Sequence, residues 1–210
     1  MFVAPNSYAD TIATGNWIKL YNGTYGTTAG GEFNVWMSTS KTGTYTNQNF
    51  STFCIETDEY INYDTPLYVE NISKSAVNGG SGGPDPDPLD VKTAYLYYNF
   101  RMGNLSSLTT GTWSYDNTGI DALQRAIWYI EEETSGINNY LVTLANNASA
   151  ADKQIAYNNV WILNLTDGAQ YPTKKQDQLT LIPTVPEPAT LLLLGFGLIG
   201  LAGAGRKFKK

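Results

Sequence analysis

The thiol of Cys54 is the most distinctive reactive group in this sequence, because it is the only cysteine among 210 residues. A single cysteine excludes an intramolecular disulfide. The sequence also has no histidine, so the commonest metal ligand and the commonest general base are both missing. From residue type alone, Cys54 is either a small buried hydrophobic residue between Phe53 and Ile55 or a reactive thiol.

Pairs of acidic residues offer a second kind of chemistry. Glu56 with Asp58, or Glu131 with Glu133, could supply the two carboxylates of a secreted hydrolase. Adjacent carboxylates at a helix end more often form a solvated face, and no nucleophile-elbow, P-loop or zinc motif is present. Residues 78–90 contain three aspartates, but they lack the glycine and terminal glutamate of an EF-hand loop. We therefore expect a protein that is not an enzyme and that uses no cofactor and no metal ion.

The composition favours an exported, β-rich module. Charged residues make up only 15% of the chain, whereas aromatic residues reach 13%, with 15 tyrosines. The net charge is −6, yet four of the 13 basic residues lie at the very end: Arg206, Lys207, Lys209 and Lys210. Without their charge of +4, residues 1–188 carry −10. Such an acidic body repels nucleic acid, so we expect no DNA or RNA partner.

An apolar stretch precedes this basic end and runs from Ala189 through Leu194 to Gly205. As a helix rising about 1.5 Å per residue, it would span about 26 Å, which is close to the hydrocarbon thickness of a bilayer. The basic cluster would then stay on the cytoplasmic side. The pattern predicts a C-terminal transmembrane helix.

Pro186, Glu187 and Pro188 come directly before this apolar stretch. The two prolines keep the chain extended. A Pro-Glu-Pro motif, a membrane span and a basic end, in that order, resemble the PEP-CTERM sorting signal. The resemblance implies processing by an exosortase, a transient stay in the inner membrane, and release to the cell surface or matrix of a Gram-negative bacterium that makes exopolysaccharide. The alternative is a tail anchor that is never cut.

The folded domain is expected to occupy residues 10–184, between residues 1–9 and the sorting tail, residues 185–210. Ser7, Tyr8 and Ala9 resemble a signal-peptidase site, although the basic and apolar regions that precede such a site are missing. Residues 1–9 are therefore expected to be a signal-peptide remnant or a disordered N-terminus.

The domain is predicted to consist of strands with inserted helices. Strands are expected at 16–21, 32–37, 49–56, 160–165 and 178–182. Helices are expected from about residue 90, over 119–133 and over 149–158. This order predicts a β-rich α+β fold, a β-sandwich or barrel with inserted helices, followed by the transmembrane sorting helix.

Local patterns place several polar side chains within these elements. Thr118 and Asp121 fit a capping box at the start of the second helix. Gln124 lies at the border of the apolar stripe on that helix, so its amide is expected to be partly buried and hydrogen-bonded. Alternation in the third strand places Phe53 and Ile55 on one face and Cys54 on the other.

Three short segments resemble the signatures of the thioester (TQxA) domain of Gram-positive surface adhesins. They are Phe-Cys-Ile at 53–55, Leu-Gln-Arg-Ala-Ile-Trp at 123–128 and Asp-Gln-Leu-Thr-Leu-Ile at 177–182. In that family a cysteine and a glutamine on a late strand join as an internal thioester, with loss of ammonia. The resemblance implies a thioester between Cys54 and Gln178, with Gln124 as an alternative or supporting residue.

The sequence departs from the thioester signatures at two positions. Leu123 stands where the family has threonine, and Asp177 stands where it prefers an apolar residue. A thioester must be kept dry until it reacts, and aromatic rings bury large areas. We expect this shield to come from aromatic side chains such as Phe53, Tyr60, Trp128 and Trp161.

Two functions follow from these patterns. One is a covalent adhesin of the cell surface or biofilm matrix, whose thioester captures an amine or hydroxyl on an unknown partner. The alternative is a non-covalent structural or exopolysaccharide-associated matrix protein in which Cys54 is inert.

Overall fold

A computed structural model of the chain describes residues 10–28, 30–77, 80–135 and 139–182. The strands within these ranges are β1 (Trp17–Asn22), β2 (Phe33–Ser38), β3 (Thr46–Thr52), β4 (Leu67–Ser73), β5 (Ser75–Ala76), β6 (Asp87–Pro88), β7 (Val160–Thr166) and β8 (Lys174–Leu181). The helices are α1 (Val91–Arg101), α2 (Leu105–Leu108), α3 (Asn117–Ile130), α4 (Tyr140–Asn147) and α5 (Ala150–Asn159). Most predicted elements are confirmed, and β4, β5, β6, α2 and α4 are additions to them.

Six strands form one antiparallel sheet in the order β3-β2-β1-β4-β7-β8. The five helices lie between β6 and β7 along the chain. The sheet therefore joins strands from both ends of the domain, and β3 and β8 become its two edges. The pairing of β4 with β7 holds the two halves together.

The β-rich character, the antiparallel sheet and the inserted helices are confirmed. The strand pairing gives no sandwich and no closed barrel within the described ranges: the outer strands β3 and β8 approach each other only at one isolated bridge just beyond β3, and the second sheet consists only of the two-residue strands β5 and β6. Helices pack where a second sheet of a sandwich would lie. No helix in the described part of the chain is long and apolar enough to cross a membrane. The predicted membrane span, with Ala189, Leu194 and Gly205, lies outside the described residues.

Buried apolar side chains form two clusters. The first combines residues of α1, α3, α4 and α5 with Phe53 and Ile55. The second lies on the opposite face of the sheet and includes Cys54, Leu20 and Val69. The predicted alternation of Phe53 and Ile55 against Cys54 is therefore confirmed, because successive side chains of an extended strand point to opposite faces.

The predicted capping box on α3 is wrong. The helix begins earlier than predicted, and its N-cap is Asp116, whose carboxylate accepts a hydrogen bond from the Gly119 N–H at 2.9 Å. Asp121 therefore lies inside the helix and accepts instead from the Thr27 N–H at 2.6 Å. The helix also ends earlier than predicted, at Ile130.

Asp10, the first described residue, is bound to both α1 and the last strand, β8. The guanidinium of Arg101 donates two hydrogen bonds to the Asp10 carboxylate, at 2.8 and 3.0 Å. The same carboxylate accepts from the Thr180 hydroxyl and the Leu181 N–H, both at 2.8 Å. Both charged side chains are shielded from water, so each relies on the opposite charge of the other to offset the cost of its own burial.

Replacing Arg101 with methionine is expected to lower the free energy of unfolding by about 3–5 kcal/mol, because it leaves a buried carboxylate without its counter-charge. Urea unfolding measures this change. Arg125 lies on the exposed side of α3, so Arg125→Met is the matched control and should shift the unfolding midpoint little. Equal shifts for the two variants would contradict the assignment.

Candidate functional site

The two edges of the sheet meet at Cys54 and Gln178. Cys54 follows β3 and forms an isolated antiparallel bridge with Gln178 on β8. The flanking residues supply the hydrogen bonds: Leu179 N–H donates to the Phe53 carbonyl at 3.1 Å, and Ile55 N–H donates to the Asp177 carbonyl at 3.3 Å. Cys54 and Gln178 are therefore a pair without hydrogen bonds between their own backbones. Such pairs bring opposing side chains closest together.

The side chains of this pair are in contact. The Gln178 Nε2 atom lies 3.2 Å from the Cys54 Sγ atom, and both residues are completely buried, at 0% exposure. The Gln178 Oε1 atom faces the hydroxyl of Thr52 at 3.5 Å. The amide nitrogen that contacts sulfur is bonded to the acyl carbon, so the thiol lies next to the carbon that a thioester would use.

Gln176 is a further residue of this site, and it is absent from the predicted site residues. Its Oε1 atom lies 2.6 Å from Cys54 Sγ, and its Nε2 atom donates to the Glu56 carbonyl at 2.8 Å. The strand period of two was the available signal, because residues 176 and 178 share one face of β8. The thiol therefore lies between two glutamine amides.

Helix α3 supports the other side of the Cys54 backbone. The Gln124 amide donates to the Cys54 carbonyl at 2.9 Å, and the Trp128 indole N–H donates to the Glu56 carbonyl at 3.2 Å. Four residues of helix advance by about 6 Å, and two residues of extended chain by about 6.6 Å. The spacing of the two donors thus matches that of the two carbonyls. Gln124 is fully buried, and its amide contacts the Cys54 backbone rather than the sulfur.

Two glycines allow this close packing. The Cys54 N–H donates to the Gly30 carbonyl at 2.9 Å. A Cβ atom on Gly30 would lie 2.2 Å from the Trp128 ring and 2.9 Å from the Gln124 Cδ atom. Gly31 has a φ of +140°, which side chains rarely tolerate. Any larger residue at Gly30 would separate α3 from the strand that carries Cys54.

Asp177 departs from the thioester signature for a structural reason. Its carboxylate accepts hydrogen bonds from the Val77 N–H and the Asn164 side chain, both at 2.8 Å, and from the Leu165 N–H at 3.1 Å. The pairing of β7 with β8 shifts register between Leu163 and Leu165. The buried carboxylate bonds to backbone at this irregularity, which an apolar residue could not do.

Burial keeps the thiol protonated. Desolvation raises the pKa of Cys54, the hydrogen bond with Gln178 lowers it, and the Glu56 carboxyl raises it. A neutral, inaccessible thiol is inert towards alkylating reagents and oxidants. Whatever chemistry Cys54 performs must therefore involve groups already inside the protein or admitted to it.

Glu56 is an unusual neighbour of the site, being only 2% exposed. Neither of its carboxyl oxygens has a hydrogen-bond partner among the described residues. Burial, followed by the negative charges of Asp177 and Glu133, raises the pKa of Glu56 to about 10. The Glu133 carboxylate itself accepts hydrogen bonds from Thr57, Ser81 and Gly82. These contacts tie the segments at Thr57 and at residues 81–82 to the Glu133 side chain.

The predicted aromatic shield is only partly right. Trp128 packs against the buried cluster that contains Cys54. Tyr60, by contrast, is 80% exposed, and Phe53 points to the opposite face of the sheet. Trp161 lies against the ammonium group of Lys74, at 3.9 Å from its ring centroid. Tyr60 and Phe53 therefore do not cover the thiol.

Comparison with known families identifies the tail. Residues 184–207 match the family described as the PEP-CTERM protein-sorting motif. This confirms the predicted sorting signal, and it implies export, a membrane-anchored sorting signal and an exosortase as the processing partner. Pro186, Glu187 and Pro188 fall within the match but outside the described residues, as do Arg206 and Lys207.

The remaining basic residues of the tail, Lys209 and Lys210, follow the match and also lie outside the described part of the chain. No curated protein and no solved structure matches the chain. These comparisons therefore do not show the resemblance of the body, over about residues 32–182, to thioester domains.

The raised pKa of Glu56 predicts a pH-dependent stability. Between the ordinary value of 4.5 and about 10, the folded protein holds a proton that the unfolded chain has lost. The free energy of unfolding should therefore fall as pH rises, by up to about 1.4 kcal/mol per pH unit from this group.

Glu56→Gln should flatten this fall, and urea unfolding between pH ~5 and pH ~9 measures it. Glu70 is exposed on β4, so Glu70→Gln serves as the control and should keep the wild-type slope. Parallel curves for wild type and Glu56→Gln would mean that Glu56 is not the buried, protonated group described.

Proposed function

We propose that the chain is an exported surface or matrix protein that captures a partner covalently through a thioester between Cys54 and Gln178. The single observation that supports this most is the direct cross-strand pairing of these two residues, with Sγ 3.2 Å from Nε2. No backbone movement is needed to bring the thiol to the amide.

Thioester formation exchanges one bond for another within this pair. The Cys54 sulfur bonds to the Gln178 Cδ atom, the bond from Cδ to Nε2 breaks, and the thiol proton leaves with the nitrogen as ammonia. The Thr52 hydroxyl donates to the Leu179 carbonyl at 2.6 Å and lies 3.5 Å from the Gln178 side-chain oxygen. It would have to turn from the first acceptor to the second to stabilise the negative charge that develops there during the attack. The Gln176 amide contacts the sulfur and can accept the thiol hydrogen bond before the proton departs.

Capture exchanges the thioester bond for a bond to an external nucleophile. An amine or hydroxyl of the partner attacks the Gln178 acyl carbon, and the sulfur of Cys54 leaves and takes up the proton that the nucleophile loses. The product is an amide or ester that joins Gln178 to the partner. Because the thioester is consumed, each molecule reacts once, and we propose capture rather than enzymatic turnover.

The alternative function is a non-covalent structural or exopolysaccharide-associated matrix protein. The observation that favours it is the environment of the thiol, since Cys54 packs within a buried apolar cluster. Buried cysteines of this kind commonly act as small hydrophobic residues. In that case, the side-chain amides of Gln176 and Gln178 would only hydrogen-bond the thiol and nearby backbone carbonyls.

The thioester predicts an intact mass about 17 Da below the sequence value, because ammonia is lost. Mass spectrometry of the purified full chain measures it, before and after methylamine is added. The deficit should vanish in Cys54→Ala and Gln178→Ala and persist in Gln124→Ala, if that variant folds. In wild type, methylamine should replace it with a stable adduct.

Gln176→Ala is the matched variant for the choice of acyl partner, and it should keep the deficit. If the mass deficit were lost in Gln176→Ala but kept in Gln178→Ala, the acyl partner of Cys54 would be Gln176, and the proposed pair would be wrong. An unmodified wild-type mass, with one thiol titratable after denaturation, would favour the inert-cysteine alternative.

We further propose that an exosortase cuts the chain near Pro186–Pro188, after the tail has held it in the inner membrane of a Gram-negative cell. Replacing Pro186, Glu187 and Pro188 with alanine should leave uncut protein in the membrane fraction of the native host. Immunoblots of membrane and medium fractions show this. Alanine at Thr184 and Val185, just before the motif, is the control, and normal release of the triple variant would contradict the proposal.

A further inference from the structure

The acyl carbon of Gln178 is closed to solvent. Cys54 and Gln178 are both at 0% exposure, so an external nucleophile needs a route into the protein. This inference rests on the proposed thioester. Such a route must pass through the residues that cover the Cys54 face of the sheet.

A connecting segment, residues 57–65, covers this face beside Cys54. Ile61 packs against the cluster that contains the thiol, whereas the opposite face of the sheet is covered by helices. The segment is tied down near its two ends. The Thr57 N–H donates to the Glu133 carboxylate at 3.0 Å, and the Asp64 carboxylate pairs with Lys19 at 2.8 Å.

A cavity of about 340 Å³ lies next to this segment. Its lining includes Asn22, Tyr25, Thr27, Glu32, Phe33 and Tyr63. Gly31 also lines it, and the preceding residue, Gly30, accepts the backbone hydrogen bond of Cys54. The lining thus contains the residue that follows Gly30 in the chain, whereas Cys54 and Gln178 themselves do not line the cavity.

Tyr63 lies where the cavity and the Cys54 cluster meet. Its ring packs against Phe33, with 5.8 Å between the centroids, and Phe33 belongs to the same buried cluster as Cys54. Burial is the largest cause of the raised pKa of Tyr63, in agreement with a ring that lies partly inside the protein. Tyr63 is still 48% exposed, so its ring can move without unpacking the core.

We propose that this cavity is the entrance for the attacking nucleophile and that Tyr63 limits what can pass. The volume suits a small ligand. Glu32 is the charged residue among those that line the cavity. It is buried, and its carboxylate accepts hydrogen bonds from the Ser51 and Tyr115 hydroxyls, so it acts on an incoming amine through its negative charge, which favours a cationic amine over an anionic one. The amine loses a proton as it bonds to the acyl carbon, and the Cys54 sulfur receives that proton as it leaves.

The test separates capture from thioester formation. In the full chain, the initial mass deficit reports formation, and the rate of adduct growth with methylamine reports capture. Tyr63→Ala should speed adduct growth several-fold, and Tyr63→Trp should slow it, with the deficit unchanged in both. Tyr60→Ala is the matched control, because Tyr60 lies in the same segment, is 80% exposed and does not line the cavity.

Amine charge provides a second readout on the unmodified protein. Ethanolamine should react faster than 2-aminoethanesulfonate at equal concentrations of free base, because the second amine carries an anionic group past Glu32. Equal rates of adduct growth for the two amines would show that Glu32 does not select by charge, and would overturn that part of the proposal.

Equal acceleration by Tyr60→Ala and Tyr63→Ala, or wild-type rates in both Tyr63 variants, would overturn the assignment of the entrance while leaving the thioester in place. A wild-type chain with no initial mass deficit is a different outcome, because it overturns the proposed function and this inference with it.

Discussion

The site depends on one structural constraint, the meeting of the two sheet edges at Cys54 and Gln178. This pair makes no backbone hydrogen bonds of its own, so the flanking bonds of Phe53 with Leu179 and of Ile55 with Asp177 must hold it. The free side of the Cys54 backbone then needs other partners, because buried peptide groups must be satisfied. Gly30 and Gln124 supply them. Helix α3, the turn at Gly30 and strand β8 thus all contact Cys54.

The same constraint places the Cys54 thiol beside two glutamine amides in the buried interior. Two glutamine amides, a thiol and a nearby carboxylic acid share a space from which water is excluded. Buried polar groups without partners cost folding free energy, and Glu56 is the clearest instance. The apolar clusters on both faces of the sheet must offset this cost.

Much of this arrangement can be predicted from local patterns. The alternation around Cys54 gives the face of each side chain correctly, because it depends only on extended geometry. The apolar stripe of α3 predicts a partly buried, hydrogen-bonded Gln124; the hydrogen bond is confirmed, and the burial is complete rather than partial. The tail can be recognised from three short features in sequence order, and the family match confirms it.

The rest depends on contacts between distant residues. Gln176 joins the site because β3 and β8 become the two edges of the sheet, and no local pattern reveals that order. Tyr60 was predicted to shield the thiol, but it projects into solvent because the chain turns between Cys54 and β4. The sheet was predicted to be a sandwich or barrel, but helices supply the second layer. In each case, tertiary packing decides what residue type alone leaves open.

A crystal structure of the protein at high resolution tests the central claim most directly. Continuous electron density from Cys54 Sγ to Gln178 Cδ, with no density for Nε2, is what the account requires. An intact Gln178 amide beside a free thiol at non-bonded distance, in freshly purified and otherwise unmodified protein, would contradict it.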